Sequence, residues 1–549
     1  MPDIVILNGK LITMAGPDAE AIAITNGKIA AVGTTAEIRA IAGDARIIDA
    51  AGGTVLPGFI DSHVHLFGGS AELDYLNLND VAGADALAAA VRPYAAARPN
   101  DNIVFAASID YSIFGDRAIT RHDLDIALPD RPFAAMSADH HTVWANTKAL
   151  EIAGIFQGLE LSDGSEIVMG DDGFAAGELR EPSAFGPVLA KTALGGRELL
   201  GFVTGNNPVP APGLTERAKD KAILAKGLAH CAASGITGLH NMDGNFYQLE
   251  LLSALEAEGT LPCRIEVPMH MKNTDPMDRL AEAEEMRAQF NTDMVWSNRV
   301  KMFMDGVLDS RTAFMLENYP GTSERSEPMF TPDQFNEICT RVDAKNLQIA
   351  VHAIGDAAVR QTLDGYEAAR KANGPRDSRH RIEHIETIHP DDIPRIAALG
   401  AVASIQPLHS PAGGFFPPYP ESSILHDAQY KTAFAWKNIR DTGAPVVFST
   451  DWPVVPVEPM LSVQGAVYRP PALPDHWPDQ TQGLRETLAS YTRDNAWVEF
   501  NEHRKGALKP GMMADIVILD SDIEATTPEN LGKIRPSMTI CGGNITHEA

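Results

Sequence analysis

A chain of 549 residues, 44% hydrophobic and 21% charged, is long enough for a large core with further domains attached. Its formal net charge of −28 argues against nucleic-acid and anionic-membrane partners, both of which need a positive surface to displace counterions. Four scattered cysteines (Cys231, Cys263, Cys339, Cys541) make neither a Cys-x-x-Cys metal site nor a disulfide scaffold, and with no signal-peptide core and no apolar run approaching about 18 residues the expected location is cytoplasmic.

Taken in order, residues 1 to 54 are predicted as short strands. Asp3 to Leu7, the turn Asn8-Gly9 and Lys10 to Thr13 read as a hairpin. Ala21 to Ile24, Asn26-Gly27 and Lys28 to Val32 read as a second, and Arg46 to Asp49 as a third strand element. Near the other end, Asp515-Ile-Val-Ile-Leu519 repeats the Asp-Ile-Val-Ile-Leu of residues 3 to 7, so both termini are expected to build one small β-sandwich domain from 1–54 and 501–549. Between them, at 55–500, apolar runs alternate with Ala/Leu/Glu-rich helical stretches, the pattern of βαβ units and of a (β/α)8 TIM barrel. Ten strands are predicted: Thr54 to Ile60, Ile103 to Ala107, Pro132 to Met136, Ile236 to His240, Arg264 to Met269, Arg299 to Met304, Gln348 to His352, Arg381 to His384, Val402 to Gln406 and Pro445 to Thr450. The two beyond eight are assigned to an insertion at about 70–225, expected to cover the barrel mouth. Asp356 is expected to cap the helix after Gly355.

In such a barrel, chemistry sits at the C-terminal ends of the strands. Leu56-Pro-Gly-Phe-Ile-Asp-Ser-His63-Val-His65 places two imidazoles on one side of a strand, because side chains alternate with a period of two. The later predicted strands end in Lys301, His352, His384 and Asp451 in turn. Lys301 sits inside an apolar run, where an unpaired ammonium is costly; carbamylation by CO2 would turn it into a carboxylate able to bridge two cations. His63, His65, Lys301, His352, His384 and Asp451 together suit one or two Zn2+ ions, with Mn2+, Fe2+ and Ni2+ accepting the same set. The chemistry this supports is metal-assisted hydrolysis, with Asp451 moving a proton from water to a leaving nitrogen.

On these residues, and on Gly511-x-x-Ala514-Asp515, the chain resembles the amidohydrolase superfamily. Three stretches make it similar to the amidohydrolase-3 branch, which includes N-substituted formamide deformylases. They are Arg299-Val-Lys301-x-Phe-x-Asp305-Gly306-x-x-x-Ser310-Arg311-Thr312-Ala313, His141-x-x-Trp144-x-Asn146, and Ser449-Thr450-Asp451-Trp452-Pro453. The resemblance implies a metal-dependent hydrolase with those six ligands and Asp451 as the proton-transfer base. His140, Val307 and Asp309 depart from the branch pattern, which bears on loop shape and substrate. His141 and Trp144, from the matching motif, Asp305 and Arg311, which follow the lysine strand, and His240, which ends its own strand, are expected to face substrate.

The expected activity is hydrolysis of a non-peptide C–N bond, the amide or formamide of a small molecule, by a homodimer. Two other classes stay open: a mononuclear deaminase of a cyclic substrate, disfavoured by Lys301, and a non-catalytic barrel serving as a binding or assembly module, disfavoured by a full ligand set.

Overall fold

A computed structural model describes residues 1–115, 117–138, 140–161, 165–416 and 418–549. The chain forms two compact units, Met1–Leu66 with Leu228–Ala549, and Phe67–Gly227.

The first unit holds eight parallel strands, here β1 (Phe59–Val64), β2 (Ile236–Asn241), β3 (Arg264–Glu266, continued at Met269–His270), β4 (Arg299–Phe303), β5 (Gln348–Ala353), β6 (Arg381–His384), β7 (Val402–Ile405) and β8 (Val446–Phe448). Neighbours pair in register, with Val300 opposite Ile349, Ala353 opposite His384 and Glu383 opposite Ser404. Two seams close this TIM-barrel-like array. β3 is interrupted at Val267-Pro268, so Arg264–Glu266 pairs with β2 while His270 pairs with Lys301 of β4. Past β8, Asp451 N donates to His63 O (2.8 Å) and His65 N to Trp452 O (2.7 Å), tying the last strand to the first.

Helices follow the strands, among them Phe246–Ala257, Pro332–Ala344, Asp356–Asn373, Ile393–Leu399 and Trp436–Asp441. Pro332–Ala344 buries Phe335, Ile338, Cys339 and Val342, the i, i+3, i+4, i+7 stripe of an amphipathic helix. Asp356 is the first helical residue rather than the cap. Gly355 occupies the cap, and Asp356 Oδ1 accepts from Leu316 N (2.8 Å).

The barrel interior is strongly charged. His240, Arg299, Lys301, Arg381 and Glu383 are all fully buried, and Glu266 nearly so. Buried charge is tolerated only when paired. Arg299 pairs with Glu266, and Arg381 clasps Glu383 through Nε (2.8 Å).

The terminal strands make two sheets within this same unit. One orders Lys28–Gly33, Ala21–Thr25, Ile4–Leu7 and Arg46–Asp49; the other orders Lys10–Leu11, Thr54–Pro57, Ile516–Leu519, Pro536–Cys541 and Asn544–Glu548. They share an apolar core that includes Ile6, Ile22, Val55, Ile516 and Ile540. The hairpin at Asn26-Gly27 forms, with φ of 48° and 71° at the two turn residues. The one expected at Asn8-Gly9 does not: Ile4–Leu7 pairs with Ala21–Thr25 and Arg46–Asp49, whereas Lys10–Leu11 joins Thr54–Pro57 in the other sheet. That turn moves the chain between sheets, so a local Asn-Gly signal was overridden by long-range pairing.

The second unit contains a six-stranded sheet ordered Glu166–Met169, Ala175–Arg180, Thr142–Ala145, Phe133–Ser137, Val104–Ile109 and Leu76–Asn77. The two strands beyond the barrel's eight lie here. Their period-2 alternation feeds two apolar layers, Val104, Ala106, Phe133 and Trp144 in one, Phe105, Ala134, Met136 and Val143 in the other. Among the described residues, no helix is long and apolar enough to cross a membrane.

Candidate metal centre

His63 ends β1 and His384 ends β6, while His65 and Asp451 lie just past β1 and β8. Possible ligand atoms of His63, His384 and Asp451 fall within 4.8 Å of one another. His65 Nε2 lies 3.1 Å from Asp451 Oδ1, and His63 Nε2 lies 3.3 Å from the same oxygen. The His352 ring, on β5, stands 4.5 Å from that of His384. Lys301 Nζ lies 4.2 Å from the Phe303 ring centre, which is 5.2 Å from the ring of His352. Both His384 and Asp451 have left-handed backbone, φ 76° and 67°, a conformation that side-chain-bearing residues adopt at a cost and that is concentrated at functional sites.

Each inner imidazole is held by its far nitrogen. His63 Nδ1 donates to Glu383 Oε2 (2.9 Å), His65 Nδ1 to Asp243 Oδ1 (2.6 Å) and His384 Nδ1 to Gln406 Oε1 (2.9 Å). A carboxylate or amide oxygen can only accept, so these partners fix a proton on Nδ1, and in the rings that burial keeps neutral, His63 and His384, Nε2 is left a lone pair. His63 Nε2, Asp451 Oδ1 and Lys301 Nζ are buried without a hydrogen bond. Lone pairs facing one another across about 3 Å repel unless a cation stands between them, so the donor set fits a divalent metal.

The electrostatics agree. Burial and the Lys301 charge push His63 down, to about 4, against Asp451 and Glu383. Burial opposes protonation of His65, but Asp243 and Asp451 outweigh it and raise this imidazole to about 9. Burial would raise the Asp451 carboxyl, yet the surrounding imidazoles hold it well below the carboxylate range. Burial lowers Lys301 to about 8, with Glu383 and Asp451 opposing. The centre thus demands positive charge, which metal or proton can supply.

Three residues expected to face substrate are engaged by other groups of the protein. His240 is fully buried with both nitrogens engaged, Nε2 at 2.9 Å from Glu499 Oε2 and Nδ1 at 2.9 Å from Arg381 Nη1. Asp305 is a buried staple, accepting from Phe314 N (2.9 Å), Ile354 N (3.1 Å) and Gly355 N (2.8 Å). Trp144 is a core residue of the second unit, its ring edge against Tyr111. His141 lies in the second unit beside Glu181 (3.1 Å), and Arg311 is exposed after β4.

Four neighbours escaped the sequence reading: Glu383, Asp243, Gln406 and His409. A regular strand would turn Glu383 and His384 to opposite faces; the left-handed φ at His384 breaks that alternation, and both approach His63. His409 stacks on His384 at 5.8 Å, with Nδ1 3.5 Å from Glu386 and Nε2 3.6 Å from Asp451 Oδ2. For Gln406 the signal was the polar end of the predicted strand Val402 to Gln406, which was given no site residue.

A profile of the amidohydrolase family matches residues 46–547. The chain belongs to that family. This amidohydrolase is therefore a hydrolase of carbon–nitrogen bonds other than peptide bonds. It is 26% identical to the YtcJ protein of Bacillus subtilis (strain 168), over 97% of each chain. It is also 25% identical to the N-substituted formamide deformylase of Arthrobacter pascens, over 100% of this chain and 99% of that one. Its fold is like that of an uncharacterized metal-dependent hydrolase from Pyrococcus horikoshii OT3, with a TM-score of 0.73 and 23% identity over 96% of this chain and 98% of the other.

Proposed function

We propose that this amidohydrolase hydrolyses the amide or formamide C–N bond of a small molecule, with one or two Zn2+ ions held by His63, His65, Lys301, His352, His384 and Asp451. The observation that carries this is the convergence of His63 Nε2 and His65 Nε2 on Asp451 Oδ1, at 3.3 and 3.1 Å. A metal there supplies Lewis acidity, polarising a carbonyl and making water a nucleophile at neutral pH. Asp451 does the proton work. Its carboxyl stays ionised, so it can take a proton from the attacking water and deliver it to the departing nitrogen. Water adds to the carbonyl carbon, the C–N bond breaks, and an acid and an amine leave. The lowered pKa of Lys301 favours the neutral amine that CO2 would carbamylate. The Arthrobacter pascens relative, likened over both whole chains, makes N-substituted formamides the first class to test.

The compact His63, His384, Asp451 group is by itself enough for one ion, which supports a second reading, a mononuclear centre of the deaminase kind. Elemental analysis of chelator-free protein, beside a screen of N-substituted formamides and cyclic amidines, separates the two. Formate and amine released in proportion to metal content support the proposal; protein that binds metal yet turns over only cyclic amidines sinks it.

A further inference from the structure

A chain of buried polar groups runs through the barrel from residues near the C-terminal sheets to the metal centre. Lys505 Nζ lies 2.7 Å from Glu499 Oε1, and Glu499 Oε2 accepts from His240 Nε2 at 2.9 Å. With its proton on Nε2, His240 offers the Nδ1 lone pair to Arg381 Nη1 at 2.9 Å. Arg381 then holds both oxygens of Glu383, Nε to Oε1 at 2.8 Å and Nη2 to Oε2 at 2.9 Å, and Glu383 Oε2 accepts from His63 Nδ1 at 2.9 Å. His240, Glu499, Arg381, Glu383 and His63 are each shielded from solvent along their side chains, and Lys505 is 3% exposed.

The order of charges is cation, anion, imidazole, cation, anion, imidazole. Burial drives His240 down to about 3, so it stays neutral, while Lys505 and His240 outweigh burial and take Glu499 to about 2. Two cations therefore face two anions through a neutral ring, the arrangement in which buried charge is least costly. Arg381 Nη2 also donates to Ser62 O (2.7 Å) and Ser404 Oγ (2.8 Å), which fixes the guanidinium against β1 and β7. A planar fork so constrained leaves Glu383 a single orientation, and that orientation sets where the His63 ring stands.

We propose that Glu383 is the positioning residue of His63, and that Arg381, His240, Glu499 and Lys505 transmit a structural constraint to it, so that metal affinity at the mouth is set partly from the far end of the barrel. His240, the histidine a strand-end argument would send to substrate, works instead as the neutral link between two ion pairs.

This rests on the metal reading above, and the test separates the two. Zn2+ affinity of full-length metal-stripped protein is measured by competition with a chromogenic chelator for wild type, Glu383→Gln, Glu499→Gln and the double variant, with thermal melts as a folding control. The expected result is about 10- to 100-fold weaker Zn2+ binding in Glu383→Gln. Glu499→Gln is expected to weaken binding about 3- to 10-fold, an effect that vanishes in the Glu383→Gln background. Glu499→Gln that melts lower yet binds Zn2+ like wild type overturns the proposal, as do penalties that simply multiply. If Glu499→Gln does not fold, Ser404→Ala releases Arg381 from its side instead and must show the same coupling; if it does not, the proposal fails. Wild type that holds no Zn2+ overturns the metal reading itself.

Discussion

His63 Nε2 and Asp451 Oδ1 approach to 3.3 Å with no hydrogen bond made by either atom. The reason lies behind them: Glu383 fixes the His63 proton on the far nitrogen, and the surrounding imidazoles keep Asp451 ionised. Asp451→Asn removes the acceptor without changing shape. It is expected to lower kcat by about 10²- to 10⁴-fold with a much smaller change in KM, read from initial rates on an N-substituted formamide; an unchanged kcat would remove Asp451 from the proton path.

Lys301→Ala asks how many metal ions the centre takes. If the lysine bridges two ions as a carbamate, the variant should hold clearly less metal than wild type, since a bridge serves both ions at once. One equivalent of metal in both proteins, by elemental analysis, would overturn the bridge and favour the mononuclear centre.

Asp343, remote from the metal, tests acid stability. It accepts from Arg376 Nε (2.5 Å), Asn373 Nδ2 (2.8 Å) and His380 Nε2 (3.1 Å). Burial would raise its pKa, but His380, Asn373 and Arg376 bring it down from 3.8 to about 2. A depressed carboxylate contributes stability that is complete above the unfolded value and is lost as pH falls through the folded one. Denaturant melts of Asp343→Asn should therefore show a stability deficit at pH 6 that shrinks steadily between about pH 4 and pH 2. A deficit independent of pH would show that the residue acts by packing alone.

Gly58 sits where the terminal sheet becomes β1. A Cβ there would fall 2.2 Å from Thr237 Cγ2 and 2.4 Å from its Oγ1. Gly58→Ala is expected to cost about 1–3 kcal/mol, measured by chemical denaturation, with part of the loss recovered in Gly58→Ala/Thr237→Ala. No recovery would place the strain elsewhere.

How legible the molecule was in its sequence depended on whether a signal was local. The barrel strands were readable because both faces of each are buried, leaving continuous apolar runs such as Gln348–Ala353 whose polar ends stand out. The packing of Trp144 and the partners of His240 were not legible for one reason: residue type and strand position do not say which groups will satisfy a side chain. Glu499 and Arg381, which occupy His240, lie 259 and 141 residues away. Glu383 was hidden by the backbone itself, since its neighbour's left-handed φ cancels the alternation on which strand reading depends.

The pairing of Thr54–Pro57 with Ile516–Leu519 also has a consequence in time. Thr54 Oγ1 accepts from Ile523 N across 469 residues, and Asn495 Nδ2 donates to Ile60 O across 435. At about 5–20 residues per second, the segment that leads into the strand carrying His63 waits roughly 20–90 s after leaving the ribosome before these C-terminal partners exist. During that interval Val55 and Leu56, both buried in the finished protein, lack Val517 and Ile518 across the sheet, and that edge of the nascent chain is open to chaperones and to aggregation. Slower translation should therefore lower the yield of soluble protein, and the metal centre becomes competent only after nearly all of its scaffold has been made.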